Sequence, residues 1–99
     1  MIIKYFIPSK QIDGKDIPAE KREVFKEYVI RFSCKENGGA TVYQAKGYYQ
    51  TRDAELIKED VEVIETVGNG IIPDFQRTYF KEYLKQESIG IQIDGIFAY

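Results

Sequence analysis

Gln86, Glu87 and Ser88 follow one another where a helical pattern ends and an alternating strand pattern begins, with no glycine or proline between them. A carboxylate at a helix C-terminus faces the negative end of the helix dipole. Glu87 therefore calls for a compensating partner: a backbone N–H, a cation or a tyrosine hydroxyl. The Gln86 amide can close loose carbonyls and accept from a neighbouring strand, and the Ser88 hydroxyl can bond the local backbone. The triplet reads first as a polar clasp between helix and strand, and second as a binding or catalytic group.

A second concentration of chemistry is the run Glu59, Asp60, Glu62 and Glu65. Paired carboxylates can carry acid–base catalysis or hold a cation. Alternation along a strand puts Glu59 and Glu65 on the face of Val61, and Asp60 and Glu62 on the other. No Asp/Asn/Gly loop accompanies them, so the preferred reading is a charged strand edge that discourages sheet-to-sheet aggregation. Tyr43, Tyr48 and Tyr49, with Tyr5 from the first strand, are expected to line an uncovered sheet face. Rings there can stack on bases or pack across a dimer interface. The second use is preferred, because the glycine-aromatic signature of an RNA-binding sheet is missing.

The composition excludes much else. The chain has no histidine and a single cysteine, so a Ser-His-Asp triad cannot form and the usual zinc and haem ligand sets are lacking. No metal and no cofactor is expected. Cys34 has no partner for an internal disulfide and reads as a small apolar filler late in a helix, which suits a reducing, cytoplasmic setting. A net charge of −2 argues against general nucleic-acid binding. "GNG" at 68–70 is too short for a phosphate loop. The opening "MIIKYFIP" is broken by Lys4 and stopped by Pro8, so neither a signal peptide nor a membrane span is expected.

The elements that must position these groups follow from periodicity. Residues 2–7 are β-branched or aromatic apart from Lys4 and read as a strand. "DIPAEKREVFKEYVIRFSCKENGG" reads as a helix with Asp16 as cap, Pro18 in its first turn and Gly38–Gly39 at its end. Val24, Phe25, Tyr28, Val29 and Phe32 form its inward stripe, with Lys21, Arg22, Lys26 and Glu27 mostly opposite. "ATVYQAKGYYQ" is a second strand with a bulge expected at Gly47, and 56–67 is a third. Residues 74–86 form a second helix whose inward stripe is Phe75, Tyr79, Phe80, Tyr83 and Leu84. A last strand begins near Ser88, and Asp94-Gly95 turns the chain into a short fifth strand. With 99 residues this is one domain, in the order β-α-β-β-α-β plus a C-terminal hairpin arm. The order is the ferredoxin-like split βαβ pattern: an α+β antiparallel sheet with both helices on one face.

Three stretches together, "GGATVYQAKGYYQ", "LIKEDVEVIETV" and "KQES", resemble an uncharacterised bacterial family of domains of unknown function, over roughly residues 24–93. The resemblance implies a ferredoxin-like fold and marks Gly39, Thr41, Gly47, Tyr48, Glu59, Gln86, Glu87 and Ser88 as matching positions. It implies no activity. Some members carry an export leader, which is not expected for this chain, and the hairpin arm is a further departure. In element order alone the chain is also similar to ligand-binding ferredoxin-like trimers of nitrogen signalling.

The favoured function is a small interaction or regulatory module, homo-oligomeric (a homodimer in the simplest case), that binds a protein or a small ligand through the open sheet face or its rim. The candidate ligand-binding or interface residues are Tyr5, Tyr43, Tyr48, Tyr49, Glu59, Gln86, Glu87 and Ser88, and none has an assigned catalytic role. One alternative is a phage or mobile-element anti-defence protein that binds a nuclease or sequesters a nucleotide signal. Another is a small cofactor-free enzyme of isomerase or oxygenase type, with Glu87, Glu59 or a tyrosine as acid or base.

Overall fold

The computed structural model describes residues 1–50 and 52–98, apart from the side chain of Tyr49. In chain order the elements are β1 (Ile2–Ile7), α1 (Ala19–Asn37), β2 (Thr41–Gln50), β3 (Leu56–Val67), α2 (Asp74–Tyr83), β4 (Ile91–Ile93) and β5 (Ile96–Ala98). The strands form one open five-stranded sheet in the order β2-β3-β1-β4-β5. Every neighbouring pair is antiparallel. β3 therefore separates β1 from β2, the two strands that α1 connects. The α+β class expected from the element order is present.

Alternation along β1 decides where the core lies. Ile3, Tyr5 and Ile7 are fully buried, whereas Lys4 and Phe6 on the opposite face are half-buried. Phe25 and Val29 from α1, Phe80 from α2 and Leu84 at the C-cap of α2 join those β1 residues, Ile64 and Ile91 in one cluster. The helices also touch each other, with the Phe80 ring centroid 4.7 Å from that of Phe25 and 5.1 Å from that of Tyr28. Burying each such side chain contributes on the order of 1.5–3 kcal/mol.

The helix ends differ in detail from the expected ones. Pro18, not Asp16, occupies the α1 N-cap, and no side chain caps it. Asp16 instead pairs with Lys10, closing the β1–α1 loop on itself. At the other end Gly38 takes the left-handed conformation, φ 88°, and its N–H bonds the Cys34 carbonyl, a position where a Cβ is costly. The following loop closes against this end. Asn37 Oδ1 accepts from the Gly70 N–H at 2.8 Å, and a Cβ on Gly70 would lie 2.5 Å from Glu36 Cβ.

Several expectations need correction. Tyr5, placed on the uncovered face, is fully buried among the helix-facing residues, where its oxygen accepts the Ile72 N–H at 3.1 Å. Gly47 makes no bulge: β2 and β3 pair without a break from Thr41↔Glu65 to Gln50↔Leu56. β3 is an internal strand between Glu62 and Val67, so Glu62 and Glu65 do not guard an edge. The outer members of both helical stripes, Val24, Phe75 and Tyr79, are 51%, 70% and 57% exposed. Two helices on a narrow sheet need fewer inward positions than the pattern offered. α2 ends at Tyr83, and β4 begins at Ile91 rather than Ser88.

Tyr5→Phe keeps the ring but strands the Ile72 N–H in the core. The expected cost is about 1–3 kcal/mol, read as a lower midpoint in urea with an unchanged slope. An unchanged midpoint would mean that the bond contributes nothing.

Candidate functional site

β1 stops pairing with β3 at Ile7↔Glu62, while β3 runs on to Leu56 alongside β2 alone. Past that point the β1–α1 loop lies against β3, and Glu59 fastens it. The backbone N–H groups of Ser9 and Lys10 both donate to Glu59 Oε1 at 2.9 Å, with the Ser9 hydroxyl at 3.4 Å. The same loop is gripped from its other side by the end of α2. Gln86 Nε2 donates to the Lys10 carbonyl at 2.7 Å and to the Leu84 carbonyl at 3.1 Å, and the Ile12 N–H donates to the Lys85 carbonyl at 2.9 Å. Lys85 adopts φ 53° and the Gln86 N–H returns to the Lys81 carbonyl. A lysine thus performs the left-handed helix closure that a glycine usually performs.

This arrangement creates a cleft of about 340 Å³ lined by the loop residues Lys10, Gln11, Ile12 and Gly14 and by Glu59, Gln86, Glu87 and Ser88. Glu59 and the Gln86-Glu87-Ser88 triplet, far apart in sequence, therefore share one wall. Glu59 and Gln86 are committed to the loop. Glu87 and Ser88 are exposed, and among the described residues Glu87 has no hydrogen-bond or ion-pair partner. The tyrosines do not join them. Tyr5 is in the core. Tyr43 lies on the opposite sheet face, where its hydroxyl donates to Glu65 Oε1 at 3.1 Å. Tyr48 pairs with Lys58 near the far end of β2; the pleat turns it away from the Tyr43 face. The side chain of Tyr49 lies outside the described residues.

Two further clefts border the functional candidates or their neighbours on β3 and were not foreseen. One, of about 690 Å³, opens between the start of α1 and the sheet, with Arg22, Glu62, Gln44, Lys46 and Asp60 among its lining residues. Glu62 is buried there and accepts from Arg22 Nη1 at 2.5 Å and from Lys26 Nζ at 2.7 Å, while Arg22 Nε donates to the Pro8 carbonyl at 2.9 Å. Burial alone would raise the Glu62 pKa; the Lys26 hydrogen bond and the Arg22 and Lys26 charges outweigh it and hold the carboxyl below its ordinary value. Lys46 pairs with Asp60 across the same face and lowers the Asp60 pKa. Arg22 and Lys26 stand one helical turn apart. That spacing, opposite a carboxylate inside a strand, was the available signal. The other cleft, of about 480 Å³, adjoins α2 and is lined in part by Arg77, Lys81, Glu87 and Ser88. Among the described residues no group of three or more His, Cys, Asp or Glu side chains could hold a metal ion. Among the described residues no helix is long and apolar enough to cross a membrane.

No protein-family model and no curated protein matches the chain. A solved structure does. The chain is similar to a phage SAM lyase in complex with S-methyl-5′-thioadenosine, with 24% identity and a TM-score of 0.54, over 99% of this chain and 84% of that one. At this identity the likeness is one of fold, and it runs through every element described above.

The Glu62 cluster makes stability depend on pH in a defined direction. Its folded pKa lies below the reference value of 4.5, so its contribution is complete above that value and is lost as the pH falls through the folded pKa. Glu62→Gln should remove that part of the acid dependence. It should also cost roughly 3 kcal/mol at neutral pH, because Arg22 and Lys26 lose their partner. Urea titrations of both proteins between pH 3 and pH 7, a range of about four units around the carboxylate values, measure the difference. Parallel curves would exclude this origin.

Proposed function

We propose that this chain is a cofactor-free lyase acting on a sulfonium nucleoside of the S-adenosylmethionine type. The observation that carries the reading is the convergence of Glu59, Gln86, Glu87 and Ser88 on one cleft. It is supported by the likeness, over 99% of this chain and 84% of the other, to a protein named as a phage SAM lyase and bound to S-methyl-5′-thioadenosine. We read the scaffold itself as the ferredoxin-like split βαβ pattern, with both helices on one face and extended at one edge by β5. The strand order supports this, as does the core that the two helices share.

The chemistry suits the residues. Forming S-methyl-5′-thioadenosine from S-adenosylmethionine breaks the bond between sulfur and the γ-carbon of the amino-acid arm. A base takes a proton from the neighbouring β-carbon, that C–H electron pair forms the β,γ double bond of an unsaturated amino acid, and the carbon–sulfur pair stays on sulfur, so that a sulfonium cation becomes a neutral thioether. The step balances without an oxidant or reductant. Carboxylates near the sulfonium attract the charged substrate and release the neutral product. They favour the ground state, however, so the rate must come from holding the arm in a reactive conformation. Glu59 fixes the loop that forms one wall. Glu87 is the group at hand to bind the cation or accept a proton. Ile12, 69% exposed, offers an apolar surface to a nucleoside.

The open sheet face supports a homo-oligomer as the working form. Ile2 and Val67 pair side by side there and are 48% and 64% exposed, and the Phe97 ring lies tilted against Phe6, centroids 5.5 Å apart, on the same face. Consumption of a nucleotide-derived metabolite also fits the phage or mobile-element setting, in a cytoplasmic location.

Purified protein incubated with S-adenosylmethionine should accumulate S-methyl-5′-thioadenosine, followed by liquid chromatography. Glu87→Gln, with an unchanged circular dichroism spectrum, should lower kcat/KM by about 10²–10⁴-fold if the carboxylate takes a proton or positions the arm. Absence of the thioether product together with absence of substrate binding would sink the proposal. The homo-oligomer would then be judged separately by light scattering.

A further inference from the structure

The cleft beside α2 carries a different chemistry from its neighbour. Arg77 and Lys81 stand one turn apart on α2, with Thr78 between them, and Ser88 and Glu87 form the facing wall. Two cations on one wall point to an anion. The Arg77 side chain is only 20% exposed, and its Nε–H is buried with no acceptor among the described residues. One side of its guanidinium fork is taken by Asp74, whose own side chain is 89% exposed. A buried N–H without a partner is costly, and an exposed carboxylate on an otherwise enclosed guanidinium is easily exchanged for another. Glu87 and Ser88 line both this cleft and the Glu59 cleft, so one ligand can extend from one to the other.

We infer that the α2 cleft is the carboxylate subsite for the amino-acid arm of the substrate, with Arg77 and Lys81 as its cations and Asp74 as an internal carboxylate that the ligand displaces. The inference rests on the lyase reading for its ligand. The arm of such a nucleoside is a zwitterion. Its carboxylate meets the Arg77 fork, which matches two oxygens better than a point charge does, and its ammonium meets Glu87 at the shared wall. The sulfur end then faces the cleft of Glu59. Arg77 and Lys81 are specificity-determining residues that select substrates bearing an α-carboxylate.

The test is calorimetric titration with three unreactive probes: S-adenosylhomocysteine, its decarboxylated counterpart and S-methyl-5′-thioadenosine. The wild type should bind the first about 10- to 100-fold more tightly than the second, the range for a charge-assisted pair. Arg77→Gln and Lys81→Gln should each shrink that ratio toward one while leaving the affinity for the thioether unchanged. Asp74→Asn should enlarge it, because the competing charge is gone; a purely structural Arg77–Asp74 pair would not move the two variants in opposite directions. Should Arg77→Gln fail to fold, Lys81→Gln and Asp74→Asn decide the question. Equal affinity for the carboxylated and decarboxylated probes overturns the subsite and leaves the lyase reading standing. Binding of none of the three overturns both.

Discussion

The difference in length between two neighbouring strands governs the half of this molecule that holds the candidate site. β1 has 6 residues and β3 has 12. Where β1 ends, β3 is left with unpaired backbone along one side, which a sheet ordinarily has to cover or charge. Here the β1–α1 loop covers it, and the Glu59 carboxylate supplies the acceptor that a strand backbone would have supplied. The loop then serves as the floor on which Gln86 lands. A shorter β3 would give neither the Glu59 anchor nor the cleft, and the end of α2 would have nothing to close against.

Much of this layout was legible in the residues. Element order and the bounds of the first three strands follow from β-branched runs, helical spacing and the Gly38 and Asp94-Gly95 signals. Local chemistry of that kind survives in the folded chain because neighbours in sequence decide it. The misassigned residues were those that distant partners decide. Nothing adjacent to Tyr5 shows that Ile72, a loop residue, brings the N–H that makes a buried tyrosine tolerable. Periodicity alone also could not tell that Phe75 and Tyr79 stand beyond the edge of what the sheet can cover. The placement of Tyr48 with Tyr43 on one face is an error of a simpler kind, since residues an odd number of positions apart in an unbroken strand point to opposite faces.

The candidate site was half legible for the same reason. Glu59 and the Gln86-Glu87-Ser88 triplet attracted notice singly, as a carboxylate on a strand and a polar junction without glycine. Their meeting required the tertiary fold. The polar clasp expected at the junction has a counterpart in Gln86, which reaches the Lys10 carbonyl, but its target is a loop rather than a strand. Helical spacing places Arg22 and Lys26 mostly on the side of α1 opposite its apolar stripe. Long basic side chains can lay their stems along an apolar surface and carry the charge to a partner beneath it, and Glu62 is that partner.

Burial separates the roles of the acidic residues on β3 and its surroundings more cleanly than sequence spacing does. Glu62 is enclosed, and its two cations satisfy it; replacing either would leave a charge in a poorly solvated place, so this group specifies structure and is a poor candidate for chemistry. Glu59 is half-buried and spends one oxygen on two backbone donors, a positioning task that holds a loop in register. Glu87 is exposed at a junction where the helix dipole works against it, and among the described residues no hydrogen bond or ion pair answers it. A cationic or zwitterionic ligand would offset it. An unfavourable charge kept at the lip of a cleft, next to a helix that presents two cations, is the arrangement expected where binding energy and folding energy are supplied by different residues.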